Sequence, residues 1–197
     1  FDYVFADGML LAKISSILRK EKIDRLSGDG NSFIKEIMPL LIEKNSRISL
    51  IGTDEESIQK ALKIFEDSGF HISFYRNGYF KNTNERMECI KQINNVNPEV
   101  ILIGMGAPQQ DFMIEEIIKS GWRGLIFSCG GYFHQVADSN KTNYYPHFIN
   151  KLNLRWAFRI IKEPKKMIKR YFYDYIEFYL ASLNLYFRNL FIKDLFK

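Results

Sequence analysis

Residues 103–111 read Ile-Gly-Met-Gly-Ala-Pro-Gln-Gln-Asp. An apolar run ends at Ile103, glycines follow at 104 and 106, and a helical pattern starts near Asp111. Glycine lets backbone N–H groups come close to a ligand, and a helix N-terminus favours an anion. With Pro108 in the turn and the amides of Gln109 and Gln110 beside it, the stretch suits a diphosphate or sugar cradle. It equally suits a tight turn with a polar surface. Cys129-Gly130-Gly131-Tyr132 follows the next apolar run in the same way, and Gly52-Thr53-Asp54 is a third such turn. Arg76-Asn77-Gly78-Tyr79-Phe80 is a fourth, with two aromatics able to stack on a base or a sugar. Each loop has a structural explanation by itself, but four glycine-bearing loops on one edge point to a shared crevice.

Asp7-Gly8 stands before the first helical pattern. A carboxylate there serves either as a helix cap or as a general base that takes a proton from a sugar hydroxyl during inverting transfer. Spacing does not choose between them. His71, His134 and His147 are scattered without ligand spacing, and no convincing loop carries a paired carboxylate for a divalent ion, so no metal site is expected. Serine-hydrolase, Walker and zinc-finger patterns are missing. Cys89 and Cys129 are too few for a disulfide framework and read as packing residues in a reducing compartment.

The elements that would position these loops alternate. Helical spacing runs through residues 9–19, and through 33–44 despite Pro39. Ile48–Ile51 reads as a short buried strand, Ser57–Ser68 as a helix with Ile58, Leu62 and Phe65 on one face, and Phe70–Tyr75 as the next strand. A helix at Glu85–Asn94, an almost wholly apolar strand at Val100–Ile103, a helix at 111–119 and a buried strand at Leu125–Ser128 continue the pattern. The alternation predicts an α/β fold with a doubly wound, mostly parallel, Rossmann-like sheet. Ligands in such sheets bind beyond the carboxyl ends of the strands, where all four loops fall. Residues 135–150 read as polar and turn-rich, and from Leu152 onward the chain reads as helical.

The 197 residues suffice for one sizeable core, and no run of about 18 apolar residues marks a transmembrane helix. No signal peptide pattern is visible. The net charge of +5 is uneven: residues 151–197 hold 11 Lys and Arg against 4 Asp and Glu, and 12 of the 30 aromatics. This predicts a catalytic α/β domain over 1–150 and a basic, aromatic helical appendage over 151–197. Lys165, Lys166, Lys169 and Arg170, followed by Tyr171, Phe172 and Tyr173, suit an anionic interfacial surface such as lipid headgroups or phosphates; the same pattern also fits a core helix with one solvated basic side. Nucleic acid is the rival partner, but the near-neutral body offers it no matching groove, so none is expected. Exposed apolar surface leaves a homo-oligomer open.

Ala-Asp-Gly (6–8), Gly-Tyr-Phe (78–80), Gly-Met-Gly-Ala-Pro-Gln-Gln-Asp (104–111), Gly-Gly with a following Phe (130–133) and the tail segment 155–170 occur in this order. Together they resemble the WecG/TagA/CpsF glycosyltransferases over nearly the whole chain to about residue 172. The resemblance implies an inverting, metal-independent enzyme without a cofactor. Its donor would be a UDP-sugar carrying N-acetylmannosamine, its uronate, glucose or a similar sugar. Its acceptor would be an undecaprenyl-diphosphate-linked sugar in cell-surface polysaccharide synthesis. By position Asp7 matches the base. Gly104, Gly106, Gln110 and Asp111 match the nucleotide-sugar pocket, and Arg159, Lys166 and Lys169 match cations that neutralise the diphosphate; Gly52, Gly78, Tyr79, Pro108, Gly130, Gly131 and His134, in or beside the four loops, are expected to line the same pocket. The tail would dock a cytoplasmic protein on the inner face of the plasma membrane. His134 stands where the family often has Asp, Arg155 where Glu commonly precedes the Trp, and Lys166 and Lys169 where arginines are common; lysine cannot make the same bidentate fork. The family also carries a strand and a loop before Asp-Gly, which implies that this chain lacks its N-terminal segment. A non-catalytic nucleotide-binding or membrane-scaffold protein is the alternative.

Overall fold

The computed structural model describes residues 2–29, 32–139, 141, 148–149, 152 and 154–195, with the side chains of Lys166 and of residues 189–195 outside that description. The chain divides into two compact units, Ser27–Tyr144 and the combination of Phe1–Leu26 with Tyr145–Lys197.

In the first unit, four strands alternate with helices: α2 (Phe33–Glu43), β1 (Ile48–Gly52), α3 (Glu55–Asp67), β2 (Ile72–Arg76), α4 (Thr83–Val96), β3 (Val100–Gly104), α5 (Gln109–Lys119), β4 (Leu125–Ser128) and α6 (Tyr132–Ser139). All neighbouring strands pair in parallel, in the order β2-β1-β3-β4. The chain winds outward from β1 to β2, then returns past β1 to β3, so β1 and β3 form the point where winding reverses. Both are buried at every position. Their period of two divides the side chains between two layers. Ile48, Leu50, Val100 and Leu102 pack with Ile34 of α2, Phe65 of α3 and Phe133 of α6. Ile51, Ile101 and Ile103 pack with Ile93 of α4 and Ile117 of α5. Helices cover both faces, which is why these strands read as apolar runs. Each fully buried Ile or Leu contributes about 1.5–3 kcal/mol of transfer free energy.

The doubly wound parallel sheet is the expected one, with three local corrections. Residues 135–139 are helical, because Tyr132, Phe133, Val136 and Ala137 recur at helical spacing and are buried. β4, expected as a buried strand, pairs on one side only among the described residues, and Leu125 is 58% exposed. α5 starts at Gln109, which places Gln109, Gln110 and Asp111 in its first turn.

The second unit contains α1 (Met9–Arg19) and, after residue 154, α7 (Arg155–Lys162), α8 (Pro164–Lys169), a π-helical turn (Arg170–Asp174) and α9 (Ile176–Leu195). The expected helicity holds but is segmented. Pro164 has no N–H to continue α7 and instead opens α8, where a missing donor costs nothing. After α1 the chain returns so that the Leu26 N–H donates to the Ala6 carbonyl at 3.0 Å. Among the described residues, no helix is long and apolar enough to cross a membrane.

Candidate functional site

The four loops predicted from sequence meet at the carboxyl edge of the sheet, above the reversal between β1 and β3. Gly52 and Gly104 are register partners at the ends of these strands. The Thr53 N–H donates to the Gly104 carbonyl at 3.1 Å, and the Gly78 N–H donates to the Thr53 carbonyl at 2.8 Å. The Cys129 N–H donates to the Ile103 carbonyl at 2.8 Å, which ties the Cys129–Tyr132 loop to the Ile103–Asp111 loop.

The glycines of this rim divide by physical cause. A Cβ on Gly52 would lie 2.3 Å from the Gly104 carbonyl oxygen. One on Gly104 would lie 2.8 Å from the Gly130 oxygen, and one on Gly78 would lie 3.0 Å from Gly52 Cα. These three are small so that loop backbones can touch one another. Gly106 (φ +77°) and Gly130 (φ +53°) have the left-handed backbone that favours glycine, yet a Cβ at either would meet nothing within 4 Å. They border open space, as does Gly131. The sequence signal, a glycine after a strand, is the same in all six cases; only the fold separates packing glycines from those facing a vacant approach.

Around this rim stand polar groups with defined partners. Asp54 caps α3: its carboxylate accepts from the Ser57 N–H at 2.8 Å and from Ser57 Oγ at 2.9 Å. Those bonds, led by the Ser57 N–H, hold the Asp54 carboxyl below its ordinary value. His134 of α6 joins the same cluster, with Nδ1 2.9 Å from Ser57 Oγ and 3.6 Å from Asp54 Oδ2. Sequence reasoning singled out Asp54 and His134 separately and missed Ser57, whose role shows only when α3 and α6 pack side by side. In the Arg76–Phe80 loop, Arg76 bridges to Glu85 at 3.2 Å and stacks over the Phe80 ring at 4.2 Å. Phe80 packs against the core, so of the two predicted stacking aromatics only Tyr79, 74% exposed, presents its ring to solvent. Gln110 Oε1 is buried, with no hydrogen-bond partner among the described residues, in the first turn of α5, beside the Gly106–Pro108 turn. A buried acceptor of this kind costs about 1–3 kcal/mol until a donor reaches it. Asp111 lies in the same turn.

The remaining predicted residues belong to the other unit. Asp7 does not cap α1; Gly8 holds the cap position without a side-chain bond. The Asp7 side chain is 76% exposed and lies 3.4 Å from Arg25 Nη2, whose Nε also bonds the Asp7 carbonyl. The cap alternative is thereby removed. Arg159 is half-buried on α7, Lys169 is exposed on α8, and the Lys166 side chain falls outside the described residues, as does His147. Neither cysteine is poised as a nucleophile: burial pushes the Cys89 thiol up to about 11 and raises Cys129 further.

The sequence profile of the glycosyl transferase WecG/TagA/CpsF family matches residues 1–190. The chain is similar to a UDP-Gal:alpha-D-GlcNAc-diphosphoundecaprenol beta-1,4-galactosyltransferase of Shigella boydii, at 34% identity over 185 residues, covering 93% of this chain and 76% of that protein. It is also similar to N-acetylglucosaminyldiphosphoundecaprenol N-acetyl-beta-D-mannosaminyltransferases. The protein from Staphylococcus aureus (strain MW2) is 25% identical over 166 residues, 84% of this chain and 63% of that protein. The protein from Bacillus subtilis (strain 168) is 24% identical over 165 residues, 83% and 62% respectively. The chain therefore spans about three quarters of the galactosyltransferase and under two thirds of the two mannosaminyltransferases. With a parallel sheet whose loops converge at the winding reversal, and with the family profile matched over almost its full length, the chain belongs to the WecG/TagA/CpsF family of glycosyl transferases.

Proposed function

We propose that the protein transfers a sugar from a UDP donor to an undecaprenyl-diphosphate-linked acceptor, with inversion and without a metal ion, at the inner face of the plasma membrane. The observation that carries this reading is the rim itself. Loops from four parallel strands converge, and Gly106 and Gly130 leave open approach to their backbone. Such a rim, with the N-terminus of α5 beside it, suits the diphosphate of a nucleotide-sugar. Tyr79 stacks on the base or sugar, Gln110 offers its buried acceptor to a donor hydroxyl or N–H, and His134 lines the pocket in place of the Asp the family often has.

In the reaction the acceptor hydroxyl oxygen attacks the anomeric carbon as the bond from that carbon to the UDP oxygen breaks. The electron pair leaves with UDP, and the hydroxyl proton passes to the Asp7 carboxylate. A single displacement inverts the anomeric centre. Arg159, Lys166 and Lys169 offset the negative charge that grows on the departing diphosphate, the role a metal would otherwise fill. The basic and aromatic helices after residue 154 dock on anionic lipid. The names of the relatives make UDP-galactose the first donor to test, and a GlcNAc-diphosphoundecaprenol the acceptor.

A transfer assay across UDP-sugars tests the reading, with a chelator added to one arm. The expected result is turnover with at least one UDP-sugar, undiminished by the chelator. Asp7→Asn should lower kcat by about 10²–10⁴ while leaving UDP binding intact. Undiminished turnover in that variant would remove Asp7 from the mechanism, and UDP binding without transfer to any acceptor would favour a non-catalytic role.

A further inference from the structure

In the second unit, α1 and α9 pack against each other and leave a groove of about 400 Å³ between them. Leu10, Ile14 and Leu18 line one wall, and Tyr179, Leu183 and Tyr186 the other. The volume falls in the range of small-molecule sites, but the lining is almost wholly apolar and offers no set of convergent polar groups to orient a polar ligand. The groove also connects to charge. Tyr179 lies edge-on to Tyr175, with ring centroids 6.4 Å apart. The Tyr175 hydroxyl accepts from Arg170 Nε at 2.9 Å, and its ring lies 5.5 Å beneath the same guanidinium. Lys169, immediately before Arg170, and Lys165, five positions before it, are exposed on α8. An apolar slot whose wall residue Tyr179 meets Tyr175 edge-on, with the Arg170 guanidinium over the Tyr175 ring, is complementary to one chemical shape: an anionic phosphate head on a hydrocarbon chain.

We propose that this groove binds the first part of the prenyl chain of the lipid-linked acceptor, with Arg170 and Lys165 on the diphosphate. The inference rests on the acceptor assigned under the proposed function, but it concerns binding and stands apart from catalysis. The groove holds one chain in register with its phosphates, whereas the exposed apolar residues elsewhere on the tail, such as Phe172 and Tyr173, meet a surface rather than a single molecule.

The test uses the full chain and two probes, farnesyl diphosphate and inorganic diphosphate, by titration calorimetry. Two variants fill the groove from opposite walls, Leu10→Trp and Ser182→Phe, each checked for an unchanged thermal transition. Wild type should bind farnesyl diphosphate about tenfold or more tighter than diphosphate, and both variants should erase that difference while keeping diphosphate affinity. Equal affinity of wild type for the two probes, or a difference that survives in both variants, overturns the proposal. So does a parallel loss of binding to phosphatidylglycerol vesicles, which would assign the groove to bilayer acyl chains. Because no step is a turnover measurement, prenyl-dependent binding in a protein that transfers no sugar would retain the groove and reject the transferase reading.

Discussion

The loop rim of the sheet and the helices after residue 154 are both assigned to ligand contact, yet they are built on opposite principles. The rim is made of backbone: carbonyls and N–H groups of four loops lie against one another, and glycines are present where any side chain would collide. The helical unit is made of side chains, with cations and large apolar groups held out into solvent on α-helical and π-helical backbone. A backbone-built site gains precision and loses tolerance to change. A site built from projecting side chains is individually replaceable and acts by sum, as attraction to an interface does.

That contrast can be broken at its strongest point first. Gly52→Ala should destabilise the protein by about 3 kcal/mol or more, because its Cβ meets backbone atoms on the partner strand and its φ is +150°. Urea unfolding measures this, and a change below 1 kcal/mol would show that the rim backbone yields (~1 is the ordinary effect of a mutation). Leu50→Ala, in the core below the rim, should cost about 2–5 kcal/mol in the same measurement. Gly130→Ala sharpens the comparison within the rim. With nothing near its Cβ, only the left-handed backbone is penalised, at about 1–2 kcal/mol.

Asp54→Ala should cost about 1 kcal/mol at neutral pH through the lost cap of α3. The sign with pH follows from the lowered carboxyl. Its contribution is complete above the ordinary Asp value of about 3.9 and is lost as pH falls through the lower folded value. The gap between wild type and variant should therefore close on acidification below about pH 4 and stay constant above it. Smallest of all, Phe172→Ser combined with Tyr173→Ser should leave stability within about 0.5 kcal/mol, since both side chains are more than two thirds exposed, while weakening sedimentation with anionic vesicles. A large loss of stability there would mean that the tail is core rather than contact surface.

Several features were open to reading before any coordinates. β1 and β3 are apolar runs because both of their faces are covered, and the spacing of Ile58, Leu62 and Phe65 announces α3. The helix at Tyr132–Ser139 was missed because its polar residues face outward and hide a short buried stripe. β4 was placed too deep because an apolar run does not reveal how many neighbours a strand has. The Asp54–Ser57–His134 cluster joins residues 77 positions apart, and local pattern carries no information about which helix packs beside which.

The amino-acid sequence alone determined the alternation of strands and helices as far as β4, the positions of the glycine-bearing loops and the family, because periodicity and ordered motifs are local properties of the chain. Tertiary structure decided which glycines touch backbone and which border open space, that Asp7 pairs with Arg25 instead of capping α1, and that α1 and α9 enclose an apolar groove. Those facts depend on distances between segments far apart in the chain, which are set only when the whole core packs.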